Sequence, residues 1–212
     1  MNNDLLRFRN NLNLLIFDYE TCNLNLCSSD NKPWQLAFIA VENGKIKEKC
    51  DYRLRWEDLN VAPEAARITG FNKSKHDKLA QDPQIALDHF EKYLYDDTYI
   101  KVGHNILGFD VYIHSIHRRL LQLDPDYSYI NNLLDTACLA KAIKKDIPFK
   151  NGDLLGWQYK LNNLIERGLK VNLQQCCKDY SIDLDPSLLH DALYDIEKNY
   201  EVFKKMLWKV DI

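Results

Sequence analysis

No apolar run in the 212-residue chain approaches the roughly 20 residues that a membrane-spanning helix needs. Glycine and proline are scarce, at 7 and 6 residues, which argues against low-complexity linkers and predicts that most of the chain lies in regular elements. No internal repeat is visible. An excess of positive charge is missing too: 28 Lys and Arg stand against 31 Asp and Glu, a net charge of −3. That excludes a strongly basic coat for nucleic acid but leaves room for a local basic cleft. The six cysteines (Cys22, Cys27, Cys50, Cys138, Cys176 and Cys177) form no C-x-x-C pair, and none has a histidine at zinc-finger spacing. They read as small, partly buried thiols of a reducing, cytoplasmic environment. The apolar run after Arg7 and Arg9 is too short for a secretion signal and ends on an acid.

That run, Leu12 to Phe17, is the centre of the sequence. It reads as a strand buried on both faces and stops at Asp18-Tyr19-Glu20-Thr21. Side chains alternate along a strand, so Asp18 and Glu20 point the same way. Adjacent carboxylates repel, and the neighbouring sequence holds no Lys or Arg to offset them. A hard divalent cation with oxygen ligands, Mg²⁺ or Mn²⁺, is the natural partner. The alternative is a strand end running into a solvated loop.

Residues 23–32 are polar and turn-rich (Asn23, Asn25, Ser28, Ser29, Asp30, Asn31) and are expected to line the same site. Strands are predicted at Trp34 to Val41 and Ile46 to Leu54, joined by an Asn43-Gly44 hairpin turn. Pro63 to Thr69 reads as a short helix closed by Gly70. A second helix starts at Asp82-Pro83, with Ile85, Leu87, Phe90, Tyr93 and Leu94 as its apolar side. A strand at Tyr99 to Val102 runs into Gly103-His104-Asn105. The helix after it turns Phe109, Ile113, Ile116 and Leu120 inward, with Asp110 in its first turn, where the helix dipole favours a carboxylate. An edge strand at Asn132 to Thr136 precedes a helix from Ala137 to Lys145. Residues 146–172 read as a loop with one short helix near Leu161 to Arg167. Helices at Leu173 to Tyr180 and along Leu193, Ile196, Tyr200, Phe203 and Leu207 complete the chain. This order gives an α/β sheet with helices on its faces, whose ligands bind beyond the strand ends.

Three motifs stand on those elements: Asp18-x-Glu20, Gly103-His104-Asn105 with Phe109-Asp110, and His190-x4-Asp195. Together they resemble the exonuclease motifs of the DEDD superfamily. The spacing of His190 to Asp195 resembles its DEDDh branch, which includes bacterial proofreading subunits, oligoribonuclease and ribonuclease T. The sister branch has Tyr four residues before the last Asp, where this chain has Asp191. Leu133-Leu134-Asp135-Thr136 resembles the family's fifth strand. The resemblance implies a ribonuclease H-like fold: a mixed five-stranded sheet with helices on both faces. It covers 1–212 as one domain, with an atypical insert at about 146–172. It further implies two Mg²⁺ or Mn²⁺ ions on Asp18, Glu20, Asp110 and Asp195, with His190 as general base. Thr21, Phe71, His104 and Asn105 are the expected substrate contacts. The substrate is expected to be single-stranded DNA, with RNA, short oligonucleotides and cyclic nucleotides as alternatives. A non-catalytic nucleic-acid-binding module on the same fold is the opposing reading. Nothing after the last helix resembles a polymerase-docking tail, though a polymerase partner is compatible with the motifs.

The chemistry agrees with the residues. Phosphodiester hydrolysis needs a nucleophilic water, neutralised phosphate charge and help for the leaving oxygen, which paired divalent ions provide. A neutral histidine in a loop before the last helix can take the water's proton. Four further features have two readings each. His104 is either a substrate contact or a structural hydrogen-bonding residue, and Phe71 either stacks on a base or belongs to the core. His114 and His117 read as partly exposed helix residues rather than ligands. Lys141, Lys144, Lys145 and Lys150 read as a solvated helix face rather than a strand-binding patch.

Overall fold

A computed structural model describes residues 5–9, 11–28, 31–150 and 152–212. Ser29 and Asp30 of the predicted site loop lie outside the described residues. Three antiparallel strands come first: β1 (Asn13–Thr21), β2 (Pro33–Glu42) and β3 (Lys45–Arg53). Asn43 and Gly44 have positive φ of 50° and 73°, as a tight hairpin between β2 and β3 demands. Helices α1 (Pro63–Thr69), α2 (Lys73–Leu79) and α3 (Pro83–Leu94) lead to β4 (Tyr99–Gly103), and α4 (Asp110–Leu120) leads to β5 (Leu133–Asp135). The chain continues through α5 (Thr136–Lys145), α6 (Leu154–Asn162), α7 (Leu173–Asp179) and α8 (Ala192–Met206). The sheet order is β3-β2-β1-β4-β5, with β4 parallel to both neighbours.

The central strand is apolar on both faces because both are covered. Leu15, Phe17 and Tyr19 pack with Phe38, Phe90 and Ile113 under α3 and α4. Leu14 and Ile16 pack with Val102, Ile196, Phe203 and Met206 under α8. Among the described residues no helix is long and apolar enough to cross a membrane.

Several expectations need correction. The first strand does not stop at Phe17. It continues through the acidic pair because β2 stays paired with it, Asp18 opposite Ala37 and Glu20 opposite Gln35. Helix α2 escaped notice because its seven residues are mostly charged; Asn72 caps it by accepting from Lys75 N–H. Ile85 is 59% exposed, and the buried side of α3 is instead Ala86, Leu87, Phe90 and Leu94. Within 146–172 the helix is Leu154–Asn162, started by Asp153, which accepts from Gly156 N–H; Leu161 and Asn162 end it, and 163–167 follow without regular structure. The buried stripe of α8 is centred on Ile196, Asn199, Phe203 and Met206, so Leu193 and Tyr200 flank it.

Where β4 ends, the backbone of β1 comes close. A Cβ on Gly103 would stand 3.0 Å from Phe17 O and 2.1 Å from Ile106 Cγ2. Gly103→Ala is expected to cost about 1–3 kcal/mol through overpacking. At about 2–4 °C per kcal/mol for a domain of this size, thermal melting should fall by several degrees. An unchanged melting temperature would show that this approach is not constrained.

Candidate active site

β1 outruns its parallel neighbour. Pairing with β4 ends at Ile16 opposite Val102, and the chain departs at Gly103. The stretch from Phe17 to Thr21 therefore has β2 on one side and an open crevice on the other. Asp18 and Glu20 alternate onto the α8 face with Ile16, whereas Tyr19 enters the opposite core. The Tyr19 N–H donates to Asp110 Oδ1 at 2.8 Å, so a side chain from α4 stands in for the absent strand. Asp110 is buried.

The turn that delivers α4 is held by a residue the motifs did not single out. Asp135, fully buried at the end of β5, accepts from the N–H groups of Asn105 (3.0 Å), Leu107 (3.0 Å), Ala137 (2.8 Å) and Cys138 (3.2 Å). Its side chain both caps α5 and fixes the 104–108 turn, in which Asn105 takes a φ of +62°. The sequence signal was there: an Asp just before a Leu/Ala helix is a cap signature.

His190 lies in the loop before α8, as expected, with a φ of +66°. Its N–H donates to Asp195 Oδ2 at 3.1 Å. Asp195 sits in the first turn of α8, because Asp191 is the cap and accepts from Tyr194 N–H. Arg53 Nη2 ties Asp191 to β3 at 3.1 Å. This is the cation missing from the local sequence: it comes from two strands away, and its charge also eases the ionisation of Glu20.

The acids still crowd one another. Burial, then Asp110, Glu20, Asp195 and Asp191, hold Asp18 well above the usual carboxylate range. Burial, then Asp195, Asp110 and Asp191, do the same to Glu20. Burial raises Asp110, partly offset by the Tyr19 N–H, and burial pushes Asp195 up to about 7. Two like charges 4 Å apart cost about 4 kcal/mol at an effective dielectric of 20, against a total stability of about 5–15 kcal/mol. Ionising the whole set therefore requires cations. Asp195 Oδ1 is buried without a hydrogen-bond partner, and one ligand atom each of Glu20, His190 and Asp195 lie within 4.8 Å of one another. The carboxylates fit a divalent cation.

They open on a cavity of about 680 Å³ lined by Asp18, Glu20, Asp110, His190 and Asp195. Thr21, His104 and Asn105 line it too. His104 is also tied to the scaffold through Thr136 Oγ1 at 2.9 Å, and Thr136 in turn donates to Asn199 Oδ1 at 2.7 Å. Burial lowers His104 to about 4, so it is neutral. Phe71 is not among the lining residues. It packs on Trp34 and His76, with ring centroids at 5.0 and 5.3 Å, and Ala65 and Ile68 of α1 reach the cavity instead. His114 and His117 are fully buried rather than partly exposed. They bond Glu91 at 2.8 Å and Tyr19 Oη at 3.3 Å, respectively. The lysines of α5 are engaged: Lys141 caps the end of α6 through Leu161 O and Asn162 O, and Lys144 and Lys145 pair with Asp179 and Glu166.

Carboxylates thus gather along the open edge of the central strand, beside a loop histidine. A family model described as exonuclease, of the ribonuclease T type, matches residues 15–203. The chain belongs to this family of DEDD-type 3′–5′ exonucleases. Among solved structures it is similar to Escherichia coli exonuclease I. The zinc-bound complex of that enzyme with single-stranded DNA matches at a TM-score of 0.70 and 18% identity, over 92% of this chain and 40% of that one. The complex with a dT13 oligonucleotide gives 0.72 and 17%, over 93% and 41%. The metal-free DNA complex gives 0.68 and 16%, over 92% and 41%. At these identities the likeness is one of fold, and the chain spans about 40% of the length of those structures. No curated protein matches the chain.

A raised folded-state pKa means that the folded protein binds its proton more tightly than the unfolded chain does. The stability so gained is present below the unfolded carboxylate range, near pH 4, and is lost as pH rises through the folded value. For Asp195 that window runs from about 4 to about 7. Without metal, Asp195→Asn should therefore gain on the wild type as pH rises across this window. Paired thermal melts in EDTA measure it; a constant difference between the two proteins would refute the electrostatic assignment.

Proposed function

We propose that the chain releases nucleoside monophosphates from the 3′ end of single-stranded DNA. Asp18, Glu20, Asp110 and Asp195 would hold two Mg²⁺ or Mn²⁺ ions, with His190 as general base in the DEDDh arrangement. The observation that carries this reading is the convergence of these four carboxylates and one exposed imidazole on a single open cavity. When bound, the ions supply charge neutralisation at the phosphate and polarisation of the attacking and leaving oxygens.

The protein's own groups divide the remaining work. Tyr19 N–H fixes Asp110, and the His190 N–H fixes one oxygen of Asp195 while leaving the other free. Partial withdrawal from water lowers the His190 pKa, which favours the neutral imidazole. That ring takes the proton from the attacking water and, being exposed, returns it to solvent. Leu24, Ala62, Ala65, Ile68, Phe109 and Leu173 give the cavity an apolar wall suited to base faces, which all sequences share. The DNA-bound structures of similar fold support DNA over RNA. The six free cysteines suit a reducing, cytoplasmic setting.

Matched DNA and RNA oligomers of several lengths, digested with and without Mn²⁺, test the substrate. Stepwise loss of 3′ nucleotides from DNA is expected; exclusive cleavage of RNA, very short oligomers or cyclic nucleotides would redirect the assignment. Asp18→Asn should lower turnover by about 10²–10⁴ and weaken stabilisation by Mn²⁺. His190→Ala should lose about 10²–10⁴ in rate yet keep the full Mn²⁺ melting shift. Retained turnover in His190→Ala would mean that another group activates the water, and a lost melting shift would make His190 a ligand. At saturating metal the acid limb of wild-type activity should fall below about pH 6.5, the ordinary histidine value, because burial depresses this residue.

A further inference from the structure

Remote from the cavity, β3 and α3 gather three side chains of a different chemical kind. Glu48 and Cys50 are two apart on β3 and share one face; His89 comes from α3. One ligand atom from each lies within 4.8 Å of the others. Cys50 Sγ is 3.9 Å from the ring at Nδ1; Tyr52 holds that nitrogen, so Nε2, on the Glu48 side, is the one that would take an ion. His89 Nε2 stands 3.2 Å from Glu48 Oε2, and the Tyr93 hydroxyl donates to that same oxygen at 2.8 Å. Phe38 packs edge-on against the imidazole at 5.3 Å, fixing its plane. Tyr52 Oη, 2.7 Å from Nδ1, occupies the side on which Cys50 also approaches.

We propose that Glu48, Cys50 and His89 form a second cation site, a zinc-type centre whose fourth position is open to water. The donor set decides the metal. Thiolate and imidazole select Zn²⁺, whereas the carboxylates of the cavity suit Mg²⁺ or Mn²⁺. Burial and the Glu48 charge hold the Cys50 thiol up to about 12, so it stays protonated until an ion arrives. Binding breaks the S–H bond, releases the proton to solvent and uses the sulfur electron pair for the new bond, with no change of oxidation state. Tyr52 stays on Nδ1 and holds the ring in place for an ion at Nε2. The ion would clip β3, the edge strand, to α3. Arg53 and its tie to the His190 loop begin three residues beyond Cys50.

Metal-free full-length protein titrated with Co²⁺ tests this. Thiolate-to-cobalt charge transfer should appear in the near ultraviolet, saturate at one equivalent per chain and be displaced by Zn²⁺. No cysteine lines the acidic cavity, so cobalt bound there adds nothing to this band. The band should persist in Asp18→Asn and vanish in Cys50→Ser, with His89→Gln losing at least about tenfold in affinity. Circular dichroism checks that each variant is folded. Absence of the band in wild type overturns the site, as does a band undiminished in Cys50→Ser. Should Cys50→Ser fail to fold, unchanged cobalt affinity in His89→Gln overturns it equally.

Discussion

Mutual repulsion among carboxylates at the open edge of one strand is the constraint to which the surrounding structure answers. Asp18 and Glu20 are delivered together by strand alternation, and Asp110 and Asp195 arrive from helices packed on opposite faces of the sheet. Each is at least partly removed from water, so each pair costs energy comparable with a large part of the fold's stability. The crevice exists because β4 leaves at Gly103 while β1 runs on. Had β4 continued, its backbone would fill the space beside Tyr19 that Asp110 now occupies.

The scaffold meets that cost by fixing positions with backbone hydrogen bonds rather than with neutralising charges. Tyr19 holds Asp110, Asp135 holds the turn before it, and His190 N–H holds Asp195. Among the described residues a single arginine, Arg53, reaches the cluster's edge, and it is spent mostly on Asp51 and Asp191. What remains is a rigid, under-compensated set of oxygens, the condition under which divalent cations bind strongly and in fixed places. The left-handed His190 backbone belongs to the same device: it turns the imidazole out to solvent while its own N–H stays engaged.

Much of this was legible from local sequence. The apolar run of β1, the Asn43-Gly44 turn, the Pro63 and Pro83 helix starts and the apolar periodicity of α8 each encode a local rule. The residues that escaped were those whose role depends on long-range geometry. Arg53 approaches Asp191 across 138 positions, and Phe71 turns into Trp34 and His76 rather than toward the cavity. His114 and His117 are buried because Glu91, Tyr129, Tyr19 and Pro83 O satisfy them from other elements. The Glu48, Cys50 and His89 cluster spans a strand and a helix and carries no spacing signature at all.

The central claim is that the acidic cavity is built around divalent cations with His190 outside their coordination. Crystals of the protein grown with Mn²⁺ and a nucleoside monophosphate, measured at a wavelength where manganese scatters anomalously, test it most directly. The account predicts two anomalous peaks in the cavity, roughly 3.5–4 Å apart, bonded to oxygens of Asp18, Glu20, Asp110 and Asp195 but not to His190. A cavity without manganese peaks, or a peak bonded to the His190 imidazole, would contradict it.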